Sequence, residues 1–131
     1  MVEVIGSLDD LLRRSDIVSL HCPLCTETRG LINDEKLRLM KPSALLINTA
    51  RGAIIDEAAL ITALENGIIA GAALDVQDPE PAQEALLCAP NVVVTPHIGW
   101  RRRETRQRLM DGIVRNVVAF FDGQPCNVVP N

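Results

Sequence analysis

Four short apolar runs alternate with amphipathic segments, and this alternation narrows the folds that are open to the chain. The runs lie at residues 17–20, 44–47, 68–74 and 92–94. Strands that are apolar throughout are buried on both faces, as in parallel sheets, and strands that alternate with helices indicate repeated βαβ units. We therefore predict an α/β fold: a partial Rossmann-type parallel sheet of about four strands, flanked by helices.

Capping residues predict where the helices begin and end. Ser7, Asn33 and Asp56 each precede an apolar helical pattern, which is the position of an N-cap. Gly67 follows the pattern that Asp56 opens and is suited to end that helix. The last pattern, over residues 102–121, predicts a long C-terminal helix with an apolar stripe.

Composition excludes several classes of partner. Acidic side chains outnumber basic ones by 17 to 13, and the aromatic residues are one Trp and two Phe among 131 residues. A nucleic-acid-binding domain needs a basic face or stacking rings, so we expect no nucleic-acid partner. No apolar run approaches the ~18 residues of a membrane helix, and the first residues lack the pattern of a secretory signal. We therefore expect one cytoplasmic domain with an aliphatic core and no membrane partner.

Two of the four cysteines, Cys22 and Cys25, form a C-x-x-C pair. Such a pair is found in redox sites and in zinc sites. A structural zinc needs two more ligands, and the sequence has no second C-x-x-C or closely spaced histidine pair. Reduced thiols are therefore favoured, and no metal site is predicted.

Charged side chains follow three of the predicted strands. Arg51 comes after the second strand, Asp75 and Glu80 after the third, and His97 after the fourth. The carboxyl ends of parallel strands meet at one edge of a sheet, which is where ligands bind. Arginine can hold a carboxylate through two hydrogen bonds, and a histidine oriented by a carboxylate can exchange a proton near neutral pH. Each residue taken singly is also explained as a solvated charge or a loop contact, so the pattern alone leaves both interpretations open.

Longer segments resemble the D-isomer-specific 2-hydroxyacid dehydrogenase family. They include SDIVSLHCPL, MKPSALLINTARG at residues 40–52, GAALDV at 71–76 and NVVVTPHIG at 91–99. The closing PHIGW is similar to the glycerate dehydrogenase and hydroxypyruvate reductase branch. The resemblance implies an oxidoreductase that acts on the CH–OH group of small D-2-hydroxy acids or the matching 2-keto acids, of the hydroxypyruvate or glyoxylate type, with NAD or NADP.

The resemblance also implies roles for individual residues. Arg51 would hold the substrate carboxylate, His97 would be the acid/base, and Glu80 would be its partner. The implied cofactor contacts are His21, Cys22, Pro23, Thr28, Thr49, Ala50, Arg51, Asp75, His97 and Gly99.

The same resemblance implies that residues 1–131 are the C-terminal portion of an NAD(P)-binding domain. The long helix and tail, about 101–131, would return to the substrate domain in a complete enzyme. No G-x-G-x-x-G phosphate loop occurs in the sequence, so we expect the isolated chain to bind NADH weakly and to be inactive.

Two further expectations concern partners and class. The strand at 17–20 would have an open backbone edge, which favours a homo-oligomer, a dimer being the expectation. The alternative to an enzyme is a non-catalytic NAD(H)-binding module, because the C-terminal-binding-protein corepressors share this fold and the Trp after PHIG.

Overall fold

The computed structural model describes residues 3–129, which form two compact units, one through His97 and one from Ile98 onward. The described part of the first unit contains nine regular elements in chain order: α1 Leu8–Arg14, β1 Ile17–Leu20, α2 Asp34–Leu37, β2 Leu45–Asn48, a short 3-10 helix Gly52–Ile54, α3 Glu57–Glu65, β3 Gly71–Leu74, α4 Glu84–Cys88 and β4 Val92–Val94. The second contains one long helix, α5 Arg103–Phe121.

The four described strands form one parallel sheet in the order β1-β2-β3-β4. A helix lies in each connection between neighbouring strands, as parallel pairing requires. Leu45 pairs with Ile17 on one side and with Gly71 on the other. The predicted α/β class, the parallel sheet and the long last helix are confirmed.

Local capping positions the helices that flank the sheet. The Ser7 hydroxyl accepts a hydrogen bond from the Asp10 amide, and the Asn33 side chain accepts one from the Lys36 amide. The Asp56 carboxylate accepts one from the Ala59 amide at the start of α3. These bonds satisfy amides that a helix leaves without an internal partner, and all three predicted N-caps are confirmed.

The core of the first unit is aliphatic, as the composition predicted. Its large, completely buried side chains come from the helices, the strands and the segments between them: Leu12, Ile32, Leu37, Leu46, Ile54, Leu60, Ile69 and Leu86. Burial of each such side chain contributes about 1.5–3 kcal/mol to stability. The helices are thereby held against the sheet, and the loops at its carboxyl edge begin from fixed points.

The second strand lies one residue later than predicted. The expected range was 44–47, whereas β2 covers Leu45–Asn48. Asn48 is completely buried, although its side chain is polar. The apolar run ends at residue 47, and asparagine is rarely buried, so the predicted strand ends before Asn48. Hydrogen bonds to the following loop satisfy the buried Asn48 side chain.

Helix α5 exposes its apolar side chains along its whole length. Leu109, Ile113 and Val117 are 62%, 46% and 50% exposed, and no residue of the helix is buried. This helix is nevertheless too polar to cross a membrane, and none of the other helices in the described part of the chain is long and apolar enough either.

Candidate active site

The loop that follows β2 is shaped by the buried Asn48. Its amide nitrogen donates to the Arg51 carbonyl at 2.9 Å, and its amide oxygen accepts from the Ala50 backbone at 3.0 Å. The Arg51 guanidinium also donates to the Ala50 carbonyl at 2.6 Å. This loop therefore has a defined backbone, and it presents Arg51 at the carboxyl edge of the sheet.

The ends of β3 and β4 are joined by side-chain hydrogen bonds. The Thr95 hydroxyl donates to the Asp75 carboxylate. The buried Gln77 amide donates to the carbonyls of Leu74 at 3.4 Å and Thr95 at 3.3 Å. These bonds fix the start of the loop that leads to Glu80 against the strand that leads to His97.

His97 and Glu80 form the central contact of the site. The Glu80 carboxylate oxygens lie 3.2 and 3.3 Å from Nδ1 of His97. Both side chains are 43% exposed, so each remains open to a ligand. His97 has a positive φ of 52°, and its backbone N–H donates to the Thr95 carbonyl. A carboxylate at Nδ1 fixes the ring orientation and leaves Nε2 for exchange with a substrate.

Arg51, Glu80 and His97 line one cavity of about 300 Å³. Arg29 and Asp78 also line it and form an ion pair of 3.6 Å at exposed positions. The three residues with predicted catalytic roles are thus brought together, although they come from three separate loops. The cavity has the chemical groups to hold a small carboxylic acid and to exchange a proton with it.

A second cavity, of about 520 Å³, is also lined by Arg51. It contains six of the predicted cofactor residues together with Leu24: His21, Cys22, Pro23, Thr49, Ala50 and Arg51. His21 Nε2 lies 2.9 Å from the Ser19 hydroxyl. Arg51 and Leu24 line both cavities, so the two groups of predicted site residues share Arg51.

The other four predicted cofactor residues do not line the 520 Å³ cavity, and one of them, His97, lines the 300 Å³ cavity. Thr28 lines neither cavity; its hydroxyl donates to the Pro23 carbonyl at 2.7 Å and accepts from the Cys25 amide at 2.9 Å, so it closes the loop that carries Pro23. Asp75 is partly buried and accepts from Thr95. Gly99 belongs to the second unit and lies in an exposed turn.

The four cysteines are free thiols. A hydrogen bond from Cys25 holds the pKa of the Glu27 carboxyl below its ordinary value, which is a loop contact and not a metal site. Among residues 3–129, no group of three or more histidine, cysteine or acidic side chains is arranged to hold a metal ion.

Three residues that shape the site have no role in the sequence-based prediction. Asn48 sets the backbone at Arg51, while Gly52 lies against the backbone of Gln77. Glu57, the first residue of α3, is partly buried and lines a small space together with Gly52 and Gln77. Burial raises the pKa of its carboxyl above the ordinary value. Only for Asn48 did the sequence carry a signal, a polar residue at the end of an apolar strand; the other two act across long sequence separations.

The family model described as D-isomer specific 2-hydroxyacid dehydrogenase, NAD binding domain, matches residues 2–99. A glycerate dehydrogenase from Methylorubrum extorquens is 48% identical over 126 residues, covering 93% of this chain and 40% of that protein. The chain belongs to the D-isomer specific 2-hydroxyacid dehydrogenase family. It spans well under half the length of that dehydrogenase.

Solved structures of similar proteins extend the family comparison to the fold. A glyoxylate reductase from Paecilomyes thermophila has a TM-score of 0.80 at 40% identity, over 95% of this chain and 38% of that one. An acyclic imino acid reductase solved with NADPH and D-Arg has a TM-score of 0.78 at 36% identity, over 95% of this chain and 40% of that one. The chain therefore shares a Rossmann-like fold with these reductases.

Proposed function

We propose that this chain supplies the acid/base pair and the carboxylate-binding arginine of a nicotinamide-dependent D-2-hydroxy acid dehydrogenase. The observation that carries the proposal is the single cavity lined by Arg51, Glu80 and His97, with the His97–Glu80 contact at 3.2 Å. The substrate class is a small 2-hydroxy acid or 2-keto acid, of the glycerate–hydroxypyruvate or glyoxylate type. The names of the relatives support this class.

Each of the three side chains has one task in the proposed reaction. Arg51 binds the substrate carboxylate through two parallel N–H donors and draws electron density from the adjacent carbonyl. His97 uses Nε2 to take the proton of the substrate hydroxyl during oxidation, or to return it to the carbonyl oxygen during reduction. Glu80 accepts from Nδ1–H, orients the ring and stabilises the imidazolium that forms.

The 520 Å³ cavity suits part of a nicotinamide dinucleotide. Its wall combines apolar Pro23, Leu24 and Ala50 with the Thr49 hydroxyl and the Arg51 guanidinium, a mixture typical of cofactor sites in size and polarity. When bound, the nicotinamide ring supplies or accepts the hydride. The seven residues around this cavity, which include Arg51, would hold the cofactor. Both NAD and NADP remain candidates. We keep Thr28, Asp75, His97 and Gly99 as proposed contacts of the same cofactor.

The organisation of the complete enzyme belongs to the same proposal. We propose that the chain is the C-terminal portion of the NAD(P)-binding domain, and that residues 101–131 return to a substrate domain. A homodimer is the expected form, since the apolar stripe of α5 is exposed. A cytoplasmic location is expected, since NAD(P) is an intracellular cofactor. A non-catalytic binding module receives no support from the relatives described above, whose names are those of dehydrogenases and reductases.

Replacement of His97 by alanine tests the proposal. The measurement is oxidation of NADH and NADPH with hydroxypyruvate and glyoxylate, on the product of the complete coding sequence that contains these 131 codons. We expect a ~10²–10⁴-fold loss of kcat, the usual effect of removing a general acid/base. Glu65→Gln, an exposed change at the far end of α3, should leave kcat unchanged.

Two results would contradict the proposal. An unchanged kcat in His97→Ala would show that another group transfers the proton. A complete protein that reduces neither keto acid with either cofactor would contradict the substrate class.

A further inference from the structure

The 300 Å³ cavity contains two charged side chains that the proposed reaction does not use. Its charged lining residues are Arg29, Arg51, Asp78, Glu80 and His97. Arg51, Glu80 and His97 have tasks in the reaction, whereas Arg29 and Asp78 have none. Arg29 lies in the connection that follows β1, and Asp78 lies in the connection that follows β3. The parallel sheet therefore brings an extra cation and an extra anion to the edge where the substrate would bind.

Arg29 and Asp78 neutralise each other. Nη1 of Arg29 lies 3.6 Å from Oδ2 of Asp78, and the two side chains are 64% and 55% exposed. An ion pair that is exposed to this extent contributes little to the stability of the fold. Its larger effect is on the charge that a ligand meets in the cavity, because like charges brought together discriminate strongly between ligands.

The other charges of the cavity leave one cation without a partner. In the proposed reduction His97 begins protonated, and the Glu80 carboxylate at 3.2 Å balances its charge. Within residues 3–129, no ion pair includes Arg51. The cavity therefore offers one uncompensated positive charge, which matches a single substrate carboxylate. A second carboxylate would meet the Asp78 oxygens and an arginine that is already paired, which is a repulsive element of the kind that specificity requires.

The two groups that hold the substrate also decide where its remaining substituent lies. With the carboxylate on Arg51 and the reacting oxygen at Nε2 of His97, the other substituent of the keto carbon faces the rest of the cavity. Of the described residues in that remaining lining, Arg29 and Asp78 carry charge. We propose that Asp78 is a specificity-determining residue, which neutralises Arg29 and so restricts the site to 2-keto acids with one carboxylate.

This proposal rests on the proposed function, because it takes Arg51 and His97 as the groups that hold the substrate. Its test compares hydroxypyruvate with oxaloacetate, in which a carboxylate replaces the hydroxyl group on the third carbon. Each keto acid would take a hydride from NADH or NADPH and a proton from His97 to become the hydroxy acid.

The measurement is kcat/KM for both keto acids, on the product of the complete coding sequence that contains these 131 codons. Malate is identified as the product from oxaloacetate, so that pyruvate formed by loss of carbon dioxide is not counted. The readout is the ratio of the two kcat/KM values. A change that only disturbs the loop before Glu80 lowers both values together and leaves this ratio as it was.

Asp78→Asn keeps the size of the side chain, removes its charge and leaves Arg29 free to bind a second carboxylate. We expect the ratio of oxaloacetate to hydroxypyruvate to rise about tenfold, the effect of one charge a few ångströms away at an exposed position. The rise should shrink at high salt, because both side chains are exposed. Arg29→Gln combined with Asp78→Asn should abolish the rise, since the free cation is then absent.

Asp10→Asn is the matched control. Asp10 pairs with Arg13 at 3.1 Å, and these side chains are 62% and 52% exposed. Neither residue is among those that line the 300 Å³ cavity. Neutralisation of a carboxylate in this similarly exposed pair should leave the ratio unchanged.

Three results would overturn the role of Asp78. An unchanged ratio in Asp78→Asn would show that its charge does not select the substrate. A rise that persists in the double variant would show that Arg29 does not bind the second carboxylate. A parent protein that reduces oxaloacetate as efficiently as hydroxypyruvate would show that the cavity does not reject dicarboxylic acids.

The parent protein separates this proposal from the one beneath it. If the parent reduces hydroxypyruvate or glyoxylate and Asp78→Asn leaves the ratio unchanged, the proposed function stands and only the specificity role fails. If the parent reduces neither keto acid with either cofactor, the proposed function fails, and the specificity role falls with it.

Discussion

At the scale of single residues, the site depends on close contacts that leave no room for change. Asn48 uses both ends of its side-chain amide on the Arg51 loop. Gly52 allows two loops to touch through their backbones. Neither residue has a reacting group, yet together they decide where the Arg51 guanidinium and the Glu80 carboxylate lie. Changes at these positions should therefore affect the geometry of the cavity as well as stability.

Gly52→Ala is expected to destabilise the chain by ~1–3 kcal/mol, because the added Cβ overlaps the backbone of Gln77, which cannot move without shifting the loop that leads to Glu80. The measurement is urea unfolding followed by circular dichroism. Gly6→Ala is the matched control: nothing lies within 4 Å of a Cβ at Gly6, so its effect should stay within about 0.5 kcal/mol. Equal stability of the two variants would show that the loops do not meet at Gly52.

At the scale of elements, local rules account for what could be predicted from the sequence. Each N-cap residue accepts its hydrogen bond from an amide three residues later, so a short sequence segment is enough to predict the start of the helix. The apolar runs likewise predicted four parallel strands. The close contact between Gly52 and Gln77 joins residues 25 positions apart, and no local pattern encodes it. From the sequence, Glu57 likewise resembles an ordinary first-turn acidic residue, although it lines a small space together with Gln77.

The long helix presents a different situation, because its apolar stripe is exposed. Val114 and Val118 are 59% and 53% exposed beside the stripe of Leu109, Ile113 and Val117. A contiguous apolar surface of this kind favours association in water. The predicted homo-oligomer can therefore be tested on this helix.

We expect the parent chain to associate as its concentration rises, and the double variant Ile113→Lys, Val117→Glu to associate less, because two charges interrupt the apolar stripe. Sedimentation velocity over a range of concentrations measures this. Gln107→Glu changes an exposed polar residue of the same helix and serves as the control. A parent chain that stays monomeric throughout would contradict the expectation.

At the scale of the whole molecule, the cavities around Arg51 account for only part of the proposed cofactor site. They are lined by the residues that we propose for the substrate carboxylate and for part of the dinucleotide. The sequence contains no two glycines separated by a single residue, so it has no G-x-G-x-x-G loop for the pyrophosphate. Much of the affinity for the cofactor in Rossmann folds comes from that loop and the helix behind it.

The isolated 131-residue chain is therefore expected to bind NADH weakly, with a Kd in or above the ~1 mM range. Titration calorimetry with NADH and NADPH measures it directly. Arg51→Ala controls for specific binding, since any true signal should weaken when that guanidinium is removed. Tight binding with one NADH per chain would show that the pyrophosphate is held by residues outside the glycine-loop pattern.

The simple strand order has a consequence for how the chain comes to be folded. Paired residues 17 and 45, 45 and 71, and 72 and 92 are separated by 28, 26 and 20 positions. None of these four strands has to wait for a distant part of the polypeptide before it can pair with its neighbour. During synthesis, the N-terminal part leaves the ribosome first, so β2, β3 and β4 each meet a neighbour that has already been made. Pairing of these four strands can thus proceed from β1 to β4 at the pace of translation.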